Sequence, residues 1–325
     1  MKSLIYKNKN TLKIIDKNNP IPILTNENQV LIKVLYGGIC GSDLKILKGE
    51  HARAKPGIIL GHEIIGEIVK MNKKSEFKIG DKVAINPIIQ CNNCCYCKQK
   101  KYNLCNNIKV LGADTNGGFT EYLRTSIDKL HRIDSNNLKE MTLVEPLAVA
   151  INTINRSCIT SDLNTLIFGG GTIGLLIGQL LLNRDCEVTL SEPYEYRAKI
   201  GSELGFIKLK NKSNQKFDLI YDTTGNPKVM SKAFNMIKKN GEINIVGINN
   251  EPSNIEFEKV VYSQIDIKGS FLYSAEDIEE AIKLIMDNKI NVSPIITDVI
   301  SINEYHKAFK IAKNKNKSIK VLLEI

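Results

Sequence analysis

Hydrophobic residues change their spacing twice along this 325-residue chain. From Met1 to about Ala148, short runs that alternate apolar and polar residues, such as Gln29–Leu35 (QVLIKVL) and Ile64–Val69 (IIGEIV), lie between clusters of Gly, Pro and Asn. A period of two marks half-buried strands and the clusters mark turns, so this part predicts a twisted β-rich domain. From about Val149 to Phe271 the runs become apolar throughout and alternate with helical segments: Thr165–Phe168, Glu187–Ser191, Phe217–Asp222, Glu242–Gly247 and Gln264–Gly269. Strands buried on both faces and separated by helices predict a doubly wound parallel sheet. The tail predicts a helix around Ala275–Asp287, a turn at Pro294, a helix near Ile302–Ala312 and a last strand at Ile319–Ile325. It matches neither a further strand–helix repeat nor a free domain, so it is expected to return and complete the first one. The expected class is α/β, divided as 1–148, 149–271 and 272–325.

Composition narrows this picture without redirecting it. With 42% hydrophobic residues the chain can bury the cores of about two domains. No run of about 20 uncharged apolar residues occurs, and Met1–Asn10 is polar, so neither a membrane span nor an export signal is expected and the cytoplasm is the expected compartment. The formal charge of +10 is spread along the whole length, with no module that interleaves basic and aromatic residues, which argues against nucleic acid as a partner.

Eight cysteines in such a chain should stay reduced, and four of them cluster. Cys91, Cys94, Cys97 and Cys105 form C-x2-C-x2-C-x7-C within a lobe at about 88–108. Three thiolates from a tight loop and one from its return can close a tetrahedral four-sulfur shell, the geometry zinc prefers in a structural site. Bacterial ferredoxins share the first two spacings, but their fourth cysteine follows after three residues and precedes Pro. Here the gap is seven and Asn106 follows, so zinc is favoured over an iron–sulfur cluster; Cys95 reads as a spare thiol.

A second set of metal donors lies at loop positions. Cys40 sits in Gly38–Asp43 (GICGSD), His62 and Glu63 in GHE, and Glu145 in VEPL. One thiolate, one imidazole and one carboxylate make a three-ligand zinc site whose fourth position is open to water or an alcohol, and the cation favours loss of the alcohol proton. Asp43 is a candidate to accept from His62 and fix its tautomer, and Ser42 to assist proton transfer.

Thr165–Phe168 then runs into Gly169-Gly170-Gly171-Thr172-Ile173-Gly174, a G-x-G-x-x-G match at Gly169, Gly171 and Gly174 that opens an apolar helix through Leu182. That order of strand, glycines and helix lets the backbone approach a pyrophosphate. Glu192 ends the next strand, placed to bind a ribose 2′-hydroxyl and repel a 2′-phosphate, which favours NAD over NADP. Arg197 nearby is a candidate to pack on the adenine or to admit the phosphate. Thr223 to Gly225 and Val246, Gly247 and Ile248, at later strand ends, are candidates to line the cofactor.

Together these motifs resemble the zinc-containing medium-chain dehydrogenase/reductase family, most closely its polyol branch of sorbitol-, threonine- and butanediol-like dehydrogenases, from about Lys2 to the end. The resemblance implies a GroES-like catalytic domain split around a Rossmann domain, a cleft between them, and homodimers or homotetramers. It also implies two zinc ions per chain. Cys40, His62 and Glu63 hold the reactive ion, with Glu145 a ligand or a water-mediated alternate; the four clustered cysteines hold the structural ion. Implied chemistry is hydride transfer between the CH–OH of a small secondary alcohol, a polyol or sugar alcohol, and NAD.

Two positions depart from that pattern: Lys45 and Asn152 stand where many relatives carry histidine. The loop Gly49–Pro56 adds His51, Arg53 and Lys55, which with Lys45 are candidates to hold a phosphate or carboxylate on the substrate. A phosphorylated sugar alcohol or a sugar acid is therefore an alternative substrate. A non-catalytic NAD- or zinc-sensing protein, and a zinc-free quinone or enone reductase, are the competing classes; the intact donor sets argue against both.

Overall fold

The computed structural model describes residues 1–16, 19–210, 214–248 and 251–325. Two large sheets organise it. In the first, seven strands include Ile296–Ser301, Lys320–Glu324, Gln29–Gly38, Glu63–Met71, Lys82–Ile85 and Leu130–Arg132 in that spatial order, with Tyr122–Ser126 also paired to Gln29–Gly38. Its inner face carries Val30, Ile32, Val34, Ile64, Ile68, Val83 and Ile85, one cluster drawn from alternate positions of neighbouring strands. In the second, Ile207–Lys208, Glu187–Ser191, Asn164–Phe168, Phe217–Asp222, Ile237–Ile245 and Asp266–Gly269 lie parallel in that order. Helices cover both faces of this sheet, which is why Leu166, Ile167 and Ile220 are wholly buried and no alternation marks these strands.

The helix Val144–Asn155 has no counterpart in the sequence reading. Its sequence, VEPLAVAINTIN, is apolar on most of its circumference because the glycine-turn helix Thr172–Leu182 and the helix Ala275–Met286 both pack on it. A helix covered on several sides loses the amphipathic stripe by which helices are read. Pro146 is tolerated because it falls in the first turn, where its missing N–H is not needed. The turn at Pro294 leads directly into a strand, Ile296–Ser301, that the sequence pattern does not mark.

The segment beyond 272 divides between the two halves. Helix Ala275–Met286 puts Ile278, Ala281, Ile282 and Ile285 into one core with Leu147, Ile151, Leu175 and Leu176. Strands Ile296–Ser301 and Lys320–Glu324 lie instead in the seven-stranded sheet, the latter pairing Leu322 with Gly38. No helix among the described residues is long and apolar enough to cross a membrane.

Candidate active site

Strand register builds the first donor cluster. Gly38 pairs with Glu63 across antiparallel strands, so the two chains leave the sheet together and carry Cys40 and His62 to the same end. Cys40 then caps the helix Gly41–Leu47, and Asp43 turns back to accept from the Cys40 backbone N–H at 2.8 Å. The ligand atoms of Cys40, His62 and Glu63 all lie within 4.8 Å of one another. Only glycine fits at 38, since a Cβ there would stand 1.9 Å from Glu63 Oε2.

Charge at this cluster is unbalanced toward the negative. Burial disfavours the imidazolium of His62, yet Cys40, Asp43 and Glu145 raise its pKa well above the usual histidine value. Burial pushes Glu145 up to about 6, and repulsion from Glu63 adds to that, while the Tyr273 hydroxyl donates to its Oε1 at 2.7 Å. Asp43 is likewise raised by burial. Lys320 supplies the compensating charge: its ammonium reaches both oxygens of Glu63 and Ile39 O at 3.3 Å. A soft thiolate, an imidazole and a carboxylate in a place that holds extra protons are the donor set and the field that suit a divalent zinc ion. Ser42 Oγ and Asp43 Oδ1 are buried without a partner, and such atoms call for a ligand group or a relaxed geometry on loading. No Asp43–His62 hydrogen bond forms, although the two are electrostatically coupled.

The ligand atoms of Cys91, Cys94, Cys97 and Cys105 also lie within 4.8 Å of one another, around the short helix Cys95–Lys98 and the turn Tyr102–Leu104. Burial pushes the Cys97 thiol up to about 12, whereas the backbone N–H groups of Cys97 and Asn106 bring Cys94 down to about 6. Cys94 and Cys97, so mismatched, do not ionise together unless a cation draws the proton off both. Cys95 is exposed, outside the group.

The glycine turn links strand Asn164–Phe168 to helix Thr172–Leu182, whose N-cap is Gly171 and whose first residues are Thr172 and Ile173. Gly169 has φ +101°, and a Cβ on Gly174 would stand 1.9 Å from Gly169 O, so helix and strand meet at backbone distance. A Cβ on Gly171 would meet nothing closer than Arg197 NH1 at 3.8 Å, which leaves the helix N-terminus open for a phosphate. Glu192 lies beside this turn, accepting from Gly170 N at 2.6 Å and Tyr194 N at 2.9 Å. Arg197 sends its guanidinium to Ser318 O at 3.0 and 2.8 Å, so it bridges to the chain that leads into Lys320. Thr223 Oγ1 supports the turn by donating to Phe168 O at 2.9 Å. The N–H groups of Val246 and Gly247 both donate to Asp222 O, which brings Gly247 and Ile248 against Gly225 at the same strand ends.

The basic residues scatter. Lys45 donates to Ile248 O at 2.7 Å, joining the helix after Cys40 to the cofactor strand end. His51 Nδ1 accepts from Ala54 N at 3.2 Å, and burial lowers its pKa. Arg53 pairs with Asp114 at 3.2 Å and, with Lys55 and Lys109, lines a cavity of about 650 Å³. None of Cys40, Ser42, His62 and Glu63 lines that cavity.

Sequence reasoning missed Lys320 and Tyr273. Lys320 had a signal, a charge in the otherwise apolar strand KVLLE that would need a buried counter-ion. Tyr273 had none, being a lone aromatic in a turn.

Known proteins resemble the chain over its whole length. The model of the alcohol dehydrogenase GroES-like domain matches residues 26–135, and that of the zinc-binding dehydrogenases residues 172–287. Sorbitol dehydrogenase of Bacillus subtilis is 30% identical, with 99% of this chain and 97% of that protein covered. The 2-dehydro-3-deoxy-L-galactonate 5-dehydrogenase of Pseudoalteromonas atlantica is 28% identical, with 93% of each covered. An alcohol dehydrogenase of Escherichia coli solved with NADH superposes with a TM-score of 0.92 at 26% identity, with 100% of this chain and 99% of that one covered.

Proposed function

We propose that this chain, which belongs to the zinc-containing medium-chain dehydrogenase/reductase family and its polyol branch, oxidises a secondary alcohol of a polyol or sugar alcohol with NAD as hydride acceptor. The observation that carries the reading is the gathering of Cys40, His62 and Glu63 beside the unpartnered hydroxyl of Ser42. Cys40, His62 and Glu63 would hold a zinc ion, which would supply Lewis-acid activation of a substrate hydroxyl, with NAD as the hydride acceptor.

This chain's own residues do the rest. Ser42 Oγ accepts the hydroxyl proton and passes it to water. Lys45 does not take that proton, because an ammonium has no acceptor and its Nζ is already committed to Ile248 O. Glu145 lies outside the tight group of donors, held by Tyr273, and would serve as the alternate carboxylate to Glu63, which Lys320 engages. Gly169, Gly171 and Gly174 receive the pyrophosphate, and Glu192 holds the adenosine ribose, which favours NAD over NADP. The NADH found in the Escherichia coli neighbour supports the same cofactor. The four-cysteine lobe takes a second, structural zinc. In this reading 1–148 and 272–325 form the metal-bearing half and 149–271 the nucleotide half, with helix Ala275–Met286 packed on the latter. We assign a homodimer or homotetramer as the working form.

A screen of NADH absorbance over sorbitol, xylitol, butanediol and amino alcohols, with elemental analysis, tests the reading. It expects two zinc ions per chain, NADH formed with at least one polyol, and activity lost in Cys40→Ser with the circular dichroism unchanged. Loss of zinc with activity intact points to a metal-free reductase, and zinc with cofactor binding but no turnover points to a sensor.

A sugar acid or phosphorylated sugar alcohol is the second reading, favoured by the galactonate-type relative. Replacing Arg53 and Lys55 with Gln should then raise KM for anionic polyols alone. Equal changes for neutral and anionic substrates remove it.

A further inference from the structure

Several side-chain hydrogen bonds converge on the turn between strand Asp266–Gly269 and helix Ala275–Met286. Arg156 Nε donates to Gly269 O at 2.7 Å, Asn152 Nδ2 to Leu272 O at 2.8 Å and to Ser270 Oγ at 3.2 Å, and Thr153 Oγ1 pairs with Ser270 Oγ at 2.9 Å. Another comes from elsewhere: Asn103 Nδ2, in the cysteine lobe between Cys97 and Cys105, donates to Phe271 O at 3.0 Å. At the centre of this clamp Leu272 has φ +50°, in the left-handed region that a leucine seldom adopts. The next residue, Tyr273, is buried and places its hydroxyl on Glu145 Oε1. Glu145 and Asn152 are seven residues apart on one helix, hence on one face two turns apart. Helix Val144–Asn155 therefore grips the turn at both ends, by Asn152 on the backbone of Leu272 and by Glu145 on the ring of Tyr273.

We propose that Asn152 and Asn103 are positioning residues that hold the strained turn Ser270–Tyr273 between the Glu145 helix and the cysteine lobe, and thereby fix the Tyr273 hydroxyl on the Glu145 carboxylate. Without the amides, Leu272 relaxes toward negative φ, and the direction of Tyr273 changes with it. The cysteine lobe is thus linked to the turn that carries Tyr273 through one hydrogen bond, Asn103 to Phe271. This inference rests on the reading that Cys40, His62 and Glu63 hold a metal with Glu145 close by.

The test uses full-length protein, metal-free and loaded with ¹¹³Cd, whose four-thiolate and one-thiolate sites give separate resonances. Asn152→Ala and Asn103→Ala should each speed hydrogen exchange of residues 269–274 in the metal-free protein. Both should also move the one-thiolate resonance and weaken that site's cadmium affinity by about tenfold. The four-thiolate resonance stays in place in Asn152→Ala. Leu272→Gly, which removes the strain, should restore part of the affinity in the Asn152→Ala background. Should Asn152→Ala not fold, isosteric Asn152→Asp, which lacks the donor, and Asn103→Ala on the lobe carry the test. Faster exchange with an unmoved one-thiolate resonance and unchanged affinity overturns the proposal in favour of a packing role, and unchanged exchange overturns it outright. A wild-type protein with a four-thiolate resonance alone refutes the metal reading itself, and this inference falls with it.

Discussion

The ammonium of Lys320 lies 2.6 Å from Oε1 and 2.7 Å from Oε2 of Glu63, and both side chains are buried. One carboxylate therefore has two claimants, the lysine it meets here and the metal its neighbours Cys40 and His62 are placed to hold. Lys320 brings a buried ammonium against Glu63, beside the side chains of Cys40, Asp43 and Glu145. Burial lowers the pKa of Lys320, but Glu63 and Cys40 more than reverse that.

Lys320→Met should destabilise the metal-free protein by about 3–5 kcal/mol, the cost of leaving a buried carboxylate without its partner. Zinc should recover part of that loss by taking the place of the ammonium. Urea unfolding of both proteins, with and without zinc, measures this as a greater stabilisation by metal in the variant. An equal effect of zinc on both proteins would mean that Glu63 does not turn toward the ion.

Glu192 is held by two backbone N–H groups in the crevice beside the glycine turn. A charge-assisted bond to a ribose hydroxyl contributes about 1.5–3 kcal/mol, so Glu192→Ser should lower kcat/KM for NAD by about 10- to 100-fold. Removing the charge should also raise the activity with NADP, since Arg197 lies close to Gly171. Steady-state kinetics with both cofactors decide it, and an unchanged ratio of the two would take Glu192 out of the recognition.

The four-cysteine set and the nucleotide turn are legible because their chemistry is local. Cys91 to Cys105 and Gly169 to Gly174 are closed by residues a few positions apart, and spacing alone carries the geometry. Cys40 and His62 are brought together by the Gly38–Glu63 register, which the GICGSD and GHE motifs signal without specifying. The partners that tune these groups come from far along the chain. Lys320 reaches Glu63 across 257 positions, and Tyr273 reaches Glu145 across 128. No periodicity encodes such pairs, because Lys320 depends on how the last strand returns to the first sheet and Tyr273 on how its turn packs against the helix Val144–Asn155. The cations of Gly49–Pro56 read as a cluster in sequence but diverge in space, since Lys45 turns to Ile248 and Arg53 to Asp114.

His131, buried on strand Leu130–Arg132, gives the stability its acid limb. Burial, reinforced by the nearby Lys129, lowers its pKa to about 4, and its Nε2 has no partner. The unfolded chain takes up this proton near pH 6.5 while the folded protein resists it to about pH 4. Between those values the unfolded state binds more protons, so stability falls as pH falls, by on the order of 3 kcal/mol in full. In His131→Gln that part of the slope should vanish. Unfolding curves of both proteins from pH 7 to pH 4 give the difference directly, and parallel curves would refute the assignment.

The helix Phe257–Ser263 offers the clearest site for a second copy. Phe257, Val261 and Tyr262 are 72%, 70% and 76% exposed, and the helix buries none of its residues. The spacing of four stacks Phe257 and Val261 on one side of the helix, and Tyr262 stands about 100° further round. The next strand, Asp266–Gly269, ends the parallel sheet and is paired on one side only among the described residues. An apolar helix face beside an open sheet edge is costly to leave in water, and a two-fold partner would cover both at once. Large aromatic side chains at the centre of such a contact carry a disproportionate share of its affinity. Val261→Lys with Tyr262→Lys should therefore shift the assembly to smaller species in light scattering, with the secondary structure and the zinc content of each chain retained. The unpaired lysines of two copies would face one another, which adds repulsion to the lost contact. If the double variant keeps the mass of the unaltered protein at every concentration, this face is not the one through which the copies meet.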